Sequence, residues 1–510
     1  MKKNIYLVVV FGILTLSATL MQMSAQPTES VMKACQFCVR IGILPLKYEG
    51  DLTSPSLYYA QGTQDSLVHA LSAVFSLKVQ ERSFTQELLQ EIGFEFTNCT
   101  TEQELIELGQ ELGLDYLYTG SMQASDGDLY ISMAQVQVAT GQVHELGEVS
   151  GSTQELFSLQ EQLVQKILAQ MRLTLTPAEQ WQVTEAIDMT ASLQAYEYFS
   201  RGLMAYDQQD FQQAEADYTS AIKLDPKYAA AYHHRGLVYA SLAQNDKAVS
   251  DYTQAITLKP TYSATYFQRG LVYAKLEQYD KMASDYTRFI ALDPKPTSAY
   301  YNRGRAYASL LQYDKAIADY TQTLVLDAQY PHAYYHRGFA YYALKQSDKA
   351  LADYSQAITV DPLDPAAYYD RALIYFELKQ YGKAIADFSL ALELEPLAMT
   401  YSNRGLAHYK LEQYDQAISD YSQALELDSE NPTTYYNRGL AYLHLKQYDQ
   451  AIADHSKTLE FDSEHEATAY YSRGLAYAAL KQSQQAHEDF STACELELDL
   501  ACSRLNKADN

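Results

Sequence analysis

Arginine precedes glycine in a tyrosine-rich word that recurs along the chain. Tyr300 to Gly304 and Tyr435 to Gly439 both read YYNRG, and HHRG, YFQRG, YYHRG and YSNRG start at His233, Tyr266, Tyr334 and Tyr401. A guanidinium repeated at fixed spacing has two chemistries open to it. It can hold the phosphate or carboxylate of a ligand, or it can neutralise a carboxylate of the scaffold. The glycines stand at 202, 236, 270, 304 and 338, then Ala372, then 405, 439 and 474, a period of 34 with one step of 33 and one of 35. In each unit a tyrosine lies three residues before the arginine. With that tyrosine as position 4, the arginine is position 7, the glycine 8 and a second tyrosine usually 11, so all four share one helical face. Position 23 is aspartate in all nine units, from Asp217 to Asp489. It shares a face with positions 20, 24 and 27, which are mostly Ala, Tyr and Ala. Unpaired charges on two buried stripes would cost several kcal/mol each. The spacing therefore predicts arginine–aspartate pairs and assigns the arginines to the scaffold.

Other reactive groups form no convincing site. His332 and His336 are four apart on a helix, but no third ligand accompanies them, so no metal is expected. Cys35 and Cys38 precede a strand-like run rather than opening a helix that would activate a thiol. Val39 after them rules out haem attachment. There is no phosphate-binding glycine loop, nucleophile elbow or zinc-protease motif. Neither catalysis nor a cofactor is expected.

Each unit contains two helical stretches, and in most units a proline-containing turn closes them, as in Ala229 to Ser241 and Asp246 to Lys259 before Pro260. The aromatic, small-residue and proline positions resemble the tetratricopeptide repeat, from Ala195 to about Leu498. Tyrosine replaces the usual tryptophan, and arginine the usual leucine before glycine. The resemblance implies an α-solenoid of nine helix-turn-helix repeats, with a concave surface lined largely by positions 2, 5, 6, 9, 12 and 13. Rings and amides at positions 5 and 6 of the central units suit an extended peptide: Tyr301, Asn302, Tyr335, His336, Tyr369, Asn403, Tyr436 and Asn437. On this reading alanine at Tyr335 weakens binding, and alanine at Tyr334, a position 4 ring facing the core, loses stability. The subfamily that clamps a terminal carboxylate uses lysines on this face. Here positions 2, 5 and 6 carry none.

Residues 39–175 follow another rhythm. Strands are expected at 39–46, 77–81, 116–122 and 130–138, with a hairpin at Ser125-Asp-Gly-Asp128. Helices are expected at 66–75, 85–92, 102–113 and 153–171. IGILPL, ELGQELGLDYLYTGSM, the strands around Ala139-Thr-Gly141 and LFSLQEQLVQKILAQM resemble the small α/β domain of the TolB amino-terminal, CsgG and FlgO group. That likeness implies a domain with no catalytic constellation. A linker helix at 176–194 would join it to the repeats, and 499–510 would cap or follow them.

Lys2 and Lys3, the apolar run Ile5 to Leu20 and Met23-Ser24-Ala25 read as an export signal over 1–25, followed by a short segment at 26–38. The protein is then periplasmic or secreted, held to a membrane only if the signal stays uncleaved. The formal charge of -26 disfavours nucleic acid and anionic lipid. These features point to a non-enzymatic adaptor of the bacterial cell envelope with a protein or peptide partner in the repeat groove. The rival reading is a small-molecule sensor whose α/β domain binds the ligand and whose repeats relay the event.

Overall fold

Residues 39–50, 55–72, 74, 77–80, 102–177, 179–180, 183, 190–292, 297–330, 332–461 and 465–508 are described by a computed structural model of the chain. The export signal, Cys35, Cys38, Cys99 and the helix expected at 85–92 lie outside them, as does most of the expected linker helix. The chain divides into two units, 1–228 and 229–510.

In the first unit, Ile41 and Ile43 are buried within β1 (Val39–Ile43), an apolar run flanked on both sides by parallel neighbours. β2 (Lys47–Tyr48), β3 (Leu77–Val79), β4 (Tyr116–Ser125), β5 (Asp128–Gln137) and β6 (Gln142–Ser152) complete a sheet of order β3-β1-β4-β5-β6, with β2 also paired to β4. The two-residue turn Asp126-Gly127 joins β4 to β5 with φ of 54° and 91°, the left-handed pair that this dipeptide favours. Parallel pairing requires crossovers, and α1 (Ser56–Ser72) and α2 (Glu102–Glu111) lie between the parallel strands. α3 (Leu156–Gln170) packs on β6.

The helix expected at 66–75 begins at Ser56. Its extra turns face α4 (Leu193–Asp207), the first helix of repeat 1, which belongs to the amino-terminal unit. Tyr196 is fully buried at this junction. Its phenol accepts from Gln160 Nε2 at 2.7 Å and lies 3.1 Å from Ser66 Oγ, while Gln160 also donates to Thr63 at 3.0 Å. Gly62 abuts Ser200 and Tyr196 so closely that a side chain there would collide with both. Repeat 1 thus seals the helical layer of the sheet. Tyr196→Phe is expected to destabilise this unit by about 1 kcal/mol through the lost hydrogen bonds. Hydrogen exchange should show faster exchange in α1 and α4 while repeats 4 to 8 stay unchanged.

α5 (Phe211–Leu224) completes repeat 1, and eight further helix pairs follow in the second unit, such as Thr297–Ser309 with Tyr313–Leu326 in repeat 4. The turn within every repeat carries a non-glycine residue at φ between 55° and 62°, from Gln209 to Lys481. Position 24 supplies the ring at the centre of each pair, and position 8 must make room for it. A Cβ on Gly304 would meet Tyr320 Cε1 at 2.7 Å. A last helix, Asp499–Ala508, packs on repeat 9 and is bonded to it by the disulfide Cys494–Cys502.

Candidate functional site

All nine arginines of the repeated word pair with the position 23 aspartate of their own repeat. In eight repeats, from Arg235 to Arg473, Nε and Nη2 donate to the two carboxylate oxygens at 2.6–3.0 Å. Arg201 and Asp217 are looser at 3.3 Å. The pairing follows from position: residues 7 and 8 of the first helix face 23 and 24 of the second, so charge meets charge beside the glycine–ring contact. The arginines from Arg269 to Arg473 also donate Nη1 to a serine or threonine at position 25 of the preceding repeat, from Thr253 to Ser456, at 2.9–3.2 Å. One guanidinium therefore ties three helices. The tyrosine at position 4 lies against it, as Tyr300 does against Arg303 with 5.5 Å from Cζ to ring centre, and lysines such as Lys315 approach the position 11 ring from the other helix. The third arm and the lysine escape a sequence reading, because serine, threonine and lysine are ordinary residues of exposed helix faces.

The eight residues expected to line the groove are more embedded than their spacing implies. Tyr301 and Asn302 are buried, and Tyr335, His336, Tyr369, Asn403, Tyr436 and Asn437 are half-buried. The position 5 ring leans on the position 24 ring of its own repeat in eight repeats, with centroids 5.5–6.0 Å apart. It also reaches position 6 of the next repeat. Tyr301 lies 5.6 Å from the His336 ring, Tyr335 donates to Asp370 at 2.7 Å, and Asn403 donates to Tyr369 Oη at 2.8 Å. Tyr436 stacks on His465 at 4.5 Å. Burial, with Arg305 and His332 nearby, lowers His336 to about 4, so the ring is neutral at pH 7. The position 4 tyrosines do not divide from position 5 as core from surface; Tyr334 is half-buried too. Losing Tyr335 therefore costs packing as well as surface. His332 is exposed at the start of its helix.

Two charged features on this face stand outside the arginine word. Arg305, at position 9 of repeat 4, is exposed over the Tyr301 ring, with no ion-pair partner among the described residues. Asp370, at position 6 of repeat 6, accepts from the phenol of Tyr335. In the first unit, Arg40, Gln110, Asp115, Tyr116 and Gln137 line an open cleft of about 650 Å³, where Arg40 and Asp115 pair at 3.4 Å.

Helix pairs at a regular period, fastened to one another from repeat 2 to repeat 9, define a helical-repeat protein. The family described as "TPR repeat" matches residues 202–242, 304–345 and 405–446, and three described as "Tetratricopeptide repeat" match 229–262, 263–296, 338–402, 432–465 and 467–499. This chain carries a tetratricopeptide-repeat array. No curated protein matches it in sequence. Among solved structures it is similar to a tetratricopeptide repeat protein of Parabacteroides merdae, at 21% identity over 49% of this chain and 99% of the other, TM-score 0.37. It is also similar to YrrB, a TPR protein with an unusual peptide-binding site, at 20% identity over 36% and 94%, TM-score 0.33. The carboxyl-terminal part of a repeat protein from Cytophaga hutchinsonii matches at 18% identity over 46% and 97%, TM-score 0.42.

Proposed function

We propose that this protein is an exported, non-enzymatic scaffold of the bacterial cell envelope, which holds a peptide or protein segment along the first-helix face of its repeats. The observation that carries this reading is the use of the arginines. All nine are consumed by aspartates, so the face between them is left to rings, amides and a few isolated charges, chemistry that suits a polypeptide. The amino-terminal unit, whose α/β part has the rhythm of TolB-type domains, docks to a second envelope component. The Cys494–Cys502 bridge suits an oxidising compartment. Crosslinking in cells followed by affinity capture of the full chain is expected to recover a protein whose crosslinks map to first helices of repeats 4 to 8. Crosslinks confined to the second helices, or no protein partner, would refute the reading. The cleft beside Arg40 and Asp115 favours a second one, a small-molecule sensor. A ligand that raises the melting temperature of the full chain, and loses that effect in Asp115→Asn, would support it.

A further inference from the structure

We propose that repeats 5 and 6 contain a subsite for a lysine or arginine side chain of the bound segment. The inference rests on the groove reading above and adds the chemistry of what enters it.

The array has one rule for carboxylates between its helices: each position 23 aspartate meets an arginine. Asp370 breaks it. It projects from the first helix of repeat 6 (Pro365–Glu377), is half-buried, and among the described residues has no cation within ion-pair distance. Tyr335 donates to it instead, at 2.7 Å. Burial pushes its carboxyl above the usual range, Asp364 adds to that push, and the phenols oppose it. Position 6 carries no carboxylate in the other eight repeats, where Ser, His, Gln or Asn stands.

A second carboxylate lies on the same stripe. Glu377 is seven residues on, about 10 Å along the helix, and is exposed. It accepts from Tyr342 at 2.6 Å, so two matched rungs join repeat 5 to repeat 6, Tyr335 to Asp370 and Tyr342 to Glu377. Between the rungs, at i+4 on the repeat 5 helix, stands Phe339, 43% exposed. Elsewhere position 9 is leucine, except for Arg305 in repeat 4. The face thus offers a carboxylate with no cation beside it among the described residues, phenol rings next to it, an apolar ring, and a second acid. An ammonium or guanidinium on an apolar stem complements each part: charge to Asp370, ring faces to the cation, stem to Phe339. Arg305, exposed on the neighbouring repeat, repels a basic side chain there and so sets the register.

The test is selection of a phage-displayed random heptapeptide library on the immobilised full chain. Enriched peptides are synthesised, and their Kd is measured by fluorescence polarisation. Enriched sequences are expected to carry Lys or Arg. Asp370→Asn with Glu377→Gln is expected to weaken them about 10-fold or more, and norleucine in place of the basic residue to do the same on the unaltered chain. Combined, the two changes are expected to cost little more than either alone, since both remove one contact. Asparagine still accepts from Tyr335, and the norleucine arm stands even if the variant unfolds. Enriched peptides without basic residues, or with unchanged Kd in both arms, overturn the cation subsite and leave the groove reading intact. A library in which nothing enriches overturns both.

Discussion

Arg303→Met is expected to destabilise the middle of the array by about 3–5 kcal/mol, because it leaves a buried carboxylate without its counter-ion. Asp319 is 5% exposed, and the guanidinium gives it two hydrogen bonds at 2.7 and 2.8 Å. Even with that partner, burial holds the Asp319 carboxyl above its ordinary value. Without it the value rises further. A carboxyl whose folded value lies above the unfolded one weakens the fold at high pH. The deficit should therefore be greatest at neutral pH and shrink as pH falls toward the ordinary aspartate value of about 3.9. The lost arm to Thr287 also loosens repeat 4 from repeat 3. Adding Asp319→Leu removes the orphaned charge and is expected to recover most of the loss. Equilibrium denaturation at pH 7 and pH 4, with hydrogen exchange over 297–330, reads all three effects. A single variant within about 0.5 kcal/mol of the parent, or a double variant no better than the single, would show that the pair is not what holds the repeat together.

That pairing was legible because both members recur on stripes whose other residues are plainly apolar. Period and helical spacing suffice when every unit repeats the evidence nine times. What joins one repeat to the next was less legible. The hydroxyl that receives Nη1 sits 16 residues before its arginine in most repeats, and the rotation between neighbours that brings them together is not written within either unit. The depth of the position 5 rings is less legible for a related reason. Positions 4 and 5 are both aromatic in most units and differ by about 100° around the helix, so composition cannot say which ring enters the gap between helices. The geometry makes Tyr301 a buried brace and leaves Phe339, which no spacing argument singled out, in solvent. In the amino-terminal unit the sheet and its hairpin follow alternation and turn chemistry. The early start of α1 does not, because its reason is Tyr196, more than a hundred residues away in the first repeat.

His455→Phe is expected to stabilise repeats 8 and 9 by about 1–3 kcal/mol. Position 24 is tyrosine or phenylalanine in the other eight repeats, and Phe388 and Phe490 show that a ring without a polar atom fits. His455 fills the same place with no exposed surface, against Gly439 and 5.6 Å from Tyr436. Neither ring nitrogen has a hydrogen-bond partner among the described residues. A neutral imidazole carries one donor and one acceptor, so burial strands both. Burial, and then Arg473, lowers its value to about 3. The sign follows from that depression. The unfolded ring titrates near 6.5, so the native contribution is complete above that pH and is lost as pH falls from about 6.5 toward 3, by about 1.4 kcal/mol per unit. The parent should therefore loosen at its carboxyl-terminal repeats in mild acid, and the phenylalanine variant should lose that part of the slope. His233 and His336 are shifted in the same direction, so the comparison must be the difference between the two proteins at each pH. Hydrogen exchange over 432–499 at pH 7 and pH 5 resolves it. Equal protection in both proteins at both pH values would mean that the ring nitrogens are satisfied and that His455 is not the acid-sensitive joint of the array.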